Sequence, residues 1–294
     1  MASLTIKEGG RRLDSSIFFG VLLIFIGLMT VNFISASIPD DCPSGLVNYW
    51  KFDDSPNMGE NNPGSGNGAN NGATWLESGI VEGAMSFNGN NALIDTAAPI
   101  NIRGSLTVSA WIYMTSNPYL SCIAGKWYES ENKRSWELCT YGGYGSEPML
   151  LPYFSSTGGP LCQPGQCGNI DCYSNNGNNL SNCKFSMNSW HHVAMTFDST
   201  NGNSSSYLDG KLQASQLQPF TNLFISDKNV QIGYSSIGGR TDTHFPGIID
   251  EVAVFNRTLS EDEIERMYNL GEDGYDYCPG TFQRTLFWFK SLFR

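Results

Sequence analysis

Positive charge is scarce in this chain. Its 294 residues hold 17 Lys and Arg against 28 Asp and Glu, a net charge of −11 with the three histidines neutral. Three of the basic residues, Lys7, Arg11 and Arg12, fall in the first fifteen positions, so the remainder is more acidic still. Such a chain is poorly suited to a nucleic acid, whose phosphates demand many Lys and Arg contacts. Charge of either sign is low, at 15%, against 40% hydrophobic and 13% aromatic residues, which points to a packed globular fold. Also missing are a repeat of regular period, an alternation of strands with long helices, and a Cys-x2-Cys knuckle. No Ser or Cys motif with a partnered His is present either. These absences argue against a solenoid, a parallel α/β sheet, a zinc ribbon and nucleophilic catalysis.

What the chain does have begins with a basic leader over residues 1–15 and an apolar segment over 16–37. Ile17 to Val31 is unbroken by charge. About twenty such residues cross a bilayer, and Ser35-Ala36-Ser37 supplies the small residues of a signal cleavage site. Two readings stay open, an uncleaved signal-anchor and a cleaved signal peptide. In both, Arg11 and Arg12 hold the N-terminus inside and send the rest of the chain out. The expected location is therefore the cell membrane, single pass with the domain outside, or the secreted state.

All eight cysteines (Cys42, Cys122, Cys139, Cys162, Cys167, Cys172, Cys183 and Cys278) lie beyond the apolar segment. In an exported chain an even number reads as disulfides. Eight cysteines allow about a hundred pairings; the one favoured here joins Cys42 to Cys278, stitching the ends of the domain, and Cys122 to Cys139 across neighbouring strands. The rival is a metal cluster at Cys162-x4-Cys167-x4-Cys172-x10-Cys183, which no histidine completes. Asn179, Asn203 and Asn256 open N-glycosylation sequons.

From Cys42 on, short strands alternate with Gly/Asn/Ser turns. Leu46–Phe52 opens the series, a loop dense in Asn and Gly covers 53–73, and Gly83–Asp95 reads as a hairpin. Leu106–Thr115 is the clearest strand, with Leu106, Val108, Ala110, Ile112 and Met114 on one face. Trp190–Asp198 and Ser206–Leu212 form another pair. Ile248–Phe255 follows Pro246-Gly247 as a buried strand. Strict alternation would put Asp250 with Ile248, Val252 and Val254, and Glu251 on the opposite face with Ile249, Ala253 and Phe255. Ser260-Glu-Asp-Glu263 has the spacing of a capping box, Leu259 and Ile264 that of a hydrophobic staple, and Gly271 suits the helix stop.

Seven segments in order carry a resemblance: Tyr49-Trp-Lys-Phe-Asp53, Gly83-Ala-Met-Ser-Phe-Asn-Gly89, Leu106-Thr-Val-Ser-Ala-Trp-Ile112, Trp190-His-His-Val-Ala194, Tyr207-Leu-Asp-Gly210, Gln231-Ile-Gly233, and Phe245 through the helix ending near Tyr268. Together they resemble the laminin-G-like, concanavalin-A-like lectin/glucanase jelly roll over about residues 45–271. The resemblance implies an all-β jelly-roll sandwich of two antiparallel sheets with one short C-terminal helix, here preceded by the hydrophobic transmembrane or signal helix. The domain would span 42–278, followed by an apolar tail, 279–294, that packs on the domain or lies at a membrane interface. The resemblance also implies structural calcium at Asp250, with oxygens from Asp53, Asp54, Asn61, Asn62 and loop carbonyls. Catalytic relatives carry acids at i, i+2 and i+4 of one strand, a pattern absent here, so an enzyme is not expected. His191 and His192 stand where the family has a structural Trp-x-His-Val-Ala.

The candidate ligand site is the insertion between Asn117 and Cys183, with Trp127, Tyr128, Trp136 and Tyr141 as contacts, since aromatic rings beside amides suit sugars. The expected function is binding or adhesion outside the cell. Glycan is the leading partner; an extracellular protein, met as a structural component of an envelope or appendage, is the alternative; a glycoside hydrolase ranks third.

Overall fold

The computed structural model describes residues 42–53, 68–142, 147–159, 167–169, 184–237, 240 and 242–278. The chain divides into two compact units, Met1–Pro39 and Asp40–Arg294, and every described residue belongs to the second. The leader, the apolar segment, Asn62, Asn179, the C-terminal tail and the side chains of Cys162, Cys167, Cys172 and Cys183 fall outside the described residues. No helix among the described residues is long and apolar enough to cross a membrane.

Among the described residues, fifteen strands form two antiparallel sheets. The first contains β1 (Leu46–Trp50), β3 (Thr74–Leu76), β4 (Ala84–Asn88), β6 (Leu106–Met114), β11 (Trp190–Phe197), β12 (Asn203–Leu208), β13 (Lys211–Leu217) and β15 (Pro246–Phe255). Its order is β13-β12-β11-β6-β15-β4-β3, with β1 also paired to β15. The second contains β2 (Ala69–Asn71), β5 (Leu93–Asp95), β7 (Leu120–Tyr128), β8 (Lys133–Tyr141), β9 (Met149–Ser155), β10 (Cys167–Asn169) and β14 (Gln231–Ile232), in the order β10-β9-β8-β7-β14-β5-β2. The core fills the space between them. Leu106, Val108, Ala110, Ile112 and Met114 all enter it from β6, as their period-two spacing predicts, and meet Ile94, Ile123, Trp136, Leu138 and Phe154 from the second sheet.

Two expectations are corrected. Gly83–Asp95 is not a hairpin: β4 joins the first sheet and β5 the second. The Asn88 side chain accepts from the amides of Asn90, Asn91 and Ala92, and this turn carries the chain between the sheets rather than back along one. The apparent insertion is no insertion either, because it supplies four of the seven strands of the second sheet, β7 to β10.

Helix α1 (Glu261–Glu272) packs on the outer face of the first sheet. Its capping box forms as read: the Glu263 amide donates to Ser260 Oγ and the Ser260 amide to Glu263 Oε2, at 3.3 and 2.9 Å. Leu259 and Ile264 are both buried in this packing. Gly271 does not end the helix. A Cβ there would land in the Trp111 indole, so Gly271 permits close approach, while Gly274, at φ +77°, makes the turn out. Disulfides Cys42–Cys278 and Cys122–Cys139 form as favoured. The first closes a separation of 236 residues, which the loop-entropy model values at about 5 kcal/mol. Gly271→Ala should destabilise the domain by about 1–3 kcal/mol through overpacking. An unchanged urea midpoint would contradict this close-approach role.

Candidate functional site

Two places concentrate chemistry, one on each sheet. The first lies in β15. Its register against β6 shifts between Asp250 and Ala253, and Glu251 takes φ +52°. One extra residue at a bulge resets the alternation. Ile249, Val252 and Val254 face the core, while Ala253 and Phe255 face the helix side. Asp250 and Glu251 therefore do not point to opposite faces, as strict alternation predicts. Asp250 pairs opposite Trp111, which packs under α1, and Glu251 takes a hydrogen bond from the Tyr49 hydroxyl in the same layer.

Both acids are fully buried. Asp250 Oδ2 accepts from the amides of Ile80 and Val81 at 3.0 and 3.2 Å, and Oδ1 from the Glu251 amide at 2.8 Å. Burial pushes its carboxyl well above the usual range despite these donors. Burial does the same to Glu251, whose Oε1 has no partner among the described residues. The Tyr49 hydroxyl in turn accepts from the Tyr277 amide at 2.9 Å, tying in the chain end that Cys278 anchors.

Asp53 adjoins this cluster. Lys51 Nζ lies 3.8 Å from its carboxylate and 2.6 Å from that of the buried Asp276. Burial raises Asp53 to about 7, with Lys51 opposing and Glu82 and Asp276 adding. Its Oδ1 is buried with no hydrogen-bond partner among the described residues. A Cβ on Gly79 would strike Asp250 Oδ2 and the Gly83 carbonyl, and one on Gly83 would strike the carbonyls of Phe52 and Asp53. Carboxylate and carbonyl oxygens thus crowd one spot where β4 gives way to β1 along β15. Phe52, Glu82 and Glu251 are all left-handed non-glycine residues around it, at φ +61°, +51° and +52°; such strain gathers at functional sites. The donor set, hard oxygens and no nitrogen or sulfur, fits calcium.

Nearby, Ser109 Oγ stands 2.8 Å from His192 Nε2, the spacing of a nucleophile and its base. Both are buried under α1, and burial lowers His192 to about 3, too low to take a proton from a serine. His191 points elsewhere, its Nδ1 2.9 Å from Asp209, so the two histidines diverge as alternation predicts.

The second place is the face of the second sheet turned from the core. Leu120, Cys122, Trp127, Cys139, Leu151 and Ile237 pack there, flanked by Tyr141 and Tyr153. The Trp127 and Tyr153 rings are 6.0 Å apart, and the Trp127 indole donates to Glu129. Tyr119, just before β7, meets Tyr141 at the end of β8 edge to face at 4.9 Å. The segment after β14 lies over this face: Gly233 donates to the Ile123 carbonyl, Cys122 to that of Thr243, and Ser236 Oγ to that of Trp127. Of the expected contacts, Trp127 and Tyr141 share this face, but only Tyr141 keeps part of its ring in solvent; Trp127 is corrected, being 3% exposed within the cluster. Tyr128 is half-buried, its hydroxyl donating to the Asn229 carbonyl at 3.3 Å. Trp136 is corrected: it is fully buried between the sheets and no ligand reaches it. Asn256 is exposed, whereas Asn203 is half-buried and accepts from Ser215.

Glu137 is the residue that sequence reasoning missed. It is fully buried two positions before Cys139, takes a hydrogen bond from Ser235, and has no partner for Oε1 among the described residues. Burial raises it to about 8, against the Ser235 hydrogen bond. Its folded value is thus above the unfolded value of about 4.5. Between the two the folded state keeps a proton that the unfolded state has lost, so stability falls as pH rises through that window and levels off above it. Glu137→Gln should flatten the slope of stability against pH between about 5 and 8 by up to ~1.4 kcal/mol per pH unit. An unaltered slope would mean that Glu137 ionises freely in the folded protein.

A family model described as the concanavalin A-like lectin/glucanases superfamily matches residues 87–265. A search of curated proteins finds no match. Among solved structures, domain 4 of an extracellular arabinanase from Geobacillus stearothermophilus, in complex with arabinotriose, aligns with a TM-score of 0.56 and 16% identity, covering 78% of this chain and 99% of that one. The ligand-binding domain of botulinum neurotoxin serotype D, in complex with N-acetylneuraminic acid, aligns at 0.52 and 15%, covering 76% and 50%. The binding domain of Paraclostridial mosquitocidal protein 1 aligns at 0.51 and 16%, covering 69% and 47%. At such identities the likeness is one of fold. With more than half of its length matched by the family model and its two sheets stacked as a sandwich, the chain belongs to the concanavalin A-like lectin/glucanase superfamily.

Proposed function

We propose that this domain is a glycan-binding module that recognises its ligand on the outer face of the second sheet and does no hydrolysis. The observation that carries the reading is the aromatic face set on β7, β8 and β9, where the half-buried Tyr141 and Tyr153 are held in place by strand pairing, with Trp127 buried beside Tyr153 and Tyr119 exposed beside Tyr141. Aromatic faces fixed on strands suit the apolar faces of sugar rings. The arabinotriose and N-acetylneuraminic acid bound by the structural relatives favour the same ligand class. Binding is preferred to catalysis because the acids on this face are engaged. Glu129 is held by Arg134 and the Trp127 indole, and Glu137 is sealed beneath Ser235. Two disulfides favour an oxidising, extracellular setting, and the N-terminal apolar segment is read as the anchor or signal that delivers the domain there.

We further propose that Asp53 and Asp250, with the carbonyls of Phe52 and Gly83, hold a structural calcium ion. The orphaned, buried Asp53 Oδ1 is the observation in favour. Bound there, the ion would fix the junction of β1, β4 and β15 rather than touch the ligand.

Two outcomes test these readings. A glycan array probed with the full-length chain, with and without calcium, should show carbohydrate binding and no release of reducing sugar. Self-assembly without any sugar binding would favour the envelope or appendage component instead. In thermal melts, calcium should raise the midpoint and chelator should reverse it. Asp53→Asn should lose that response while keeping an apo midpoint at or above the wild-type value. A midpoint indifferent to calcium removes the metal from the account.

A further inference from the structure

Tyr119 is 54% exposed, although large aromatic rings are rarely left so open. The Arg240 guanidinium lies 5.0 Å from its ring centroid, within range of a cation–π contact. Arg240 donates from Nη2 to Asp242, and both side chains keep much of their surface in solvent, 37% and 66%. The ring, the guanidinium and the carboxylate therefore stand side by side at one end of the aromatic face, where β7 begins and β8 ends.

The backbone that places them is well tied. Gly142 donates to the Tyr119 carbonyl at 3.1 Å, and the Arg240 amide to that of Ile237 at 3.1 Å. Tyr141 braces the Tyr119 ring. Arg240 Nε is buried without an acceptor among the described residues, so it does not itself face a ligand, and that contact is left to the outer nitrogens of the guanidinium.

We infer that Tyr119, Arg240 and Asp242 form a subsite for a neutral sugar, gripped through two adjacent hydroxyls. The inference rests on the glycan-binding reading and names the chemistry of its ligand. A guanidinium offers only donors and an ionised carboxylate only acceptors. Side by side, they match a vicinal diol, in which one hydroxyl donates to Asp242 and its neighbour accepts from Arg240, while the sugar ring rests on Tyr119. The Arg240 hydrogen bond holds the Asp242 carboxyl below its usual range, so the acceptor is ionised at neutral pH.

Charge selects against an acidic sugar. The Arg240 cation is already neutralised by Asp242, and the chain around it carries a net charge of −11. A carboxylated sugar would have to displace Asp242 from Arg240 and then face it as a like charge. A neutral sugar meets neither obstacle.

The experiment compares full-length wild type with Tyr119→Ala, Arg240→Ala and Asp242→Ala on an array of two sets. One holds neutral arabino-, gluco- and galacto-oligosaccharides, the other glycans ending in N-acetylneuraminate or glucuronate. Tyr119 and Asp242 are exposed and Arg240 is half-exposed, so the variants should melt close to the wild type, and that control is run alongside. The expected result is wild-type binding to neutral glycans, weakened about tenfold or more in each variant. Wild-type binding that all three variants retain overturns the subsite and leaves the glycan reading standing. Preference for the acidic set, strengthened by Asp242→Asn, overturns the neutral-sugar inference. Wild type that binds neither set removes the glycan reading and the subsite with it.

Discussion

The bulge at Asp250 and Glu251 sends two consecutive carboxyls out of one face of the central strand β15, and much of the first sheet is arranged to cover them. A buried carboxyl needs donors or a neutral state. Asp250 finds three backbone amides, two of them from the turn before β4. Glu251 finds Tyr49, whose hydroxyl then takes the amide of Tyr277. That second bond and the Cys42–Cys278 disulfide together clamp the chain end that follows α1. The bulge also marks the place where β15 changes partner, from β4 to β1. The acid-rich spot proposed for calcium is that junction.

This arrangement separates two tasks. The face of the first sheet under α1 holds the buried polar groups: Glu251, the Ser109–His192 pair and Tyr277. They are inaccessible there, and burial keeps His192 from acting as a base. The outer face of the second sheet instead carries rings on strand ends, with Arg240 and Asp242 reaching the edge from the segment after β14. The Cys122–Cys139 disulfide joins β7 and β8 on this same face. Rigidity in that pair of strands keeps Tyr119 and Tyr141 in register.

Local chemistry was legible in the sequence wherever a rule acts over a few residues. The capping box of Ser260 and Glu263, the core face of β6 and the divergence of His191 from His192 all follow from short-range geometry. Bulges defeated the same logic. Glu251 occupies a left-handed conformation with no glycine or asparagine to announce it. Strand β7 shifts register twice, at Cys122/Ala124 and Gly125/Trp127, which erases the alternation that would have marked it as a strand. Its aromatic residues consequently read as loop material. Glu137 carries no motif at all, since its role comes from Ser235, nearly a hundred residues away. Trp136 and Trp127 look alike in sequence, and only the pleat and those shifts decide that one is buried between the sheets and the other in the cluster on the outer face.

The central claim is that recognition belongs to the second sheet and not to the acid-rich side of the first. Amide hydrogen exchange on the full-length chain, with and without a neutral oligosaccharide that it binds, tests this most directly. The account predicts added protection in residues 117–142 and in the segment from Gly233 to Phe245, with α1 and the Asp250 bulge unchanged. Protection confined to α1, β1 and the bulge would contradict it.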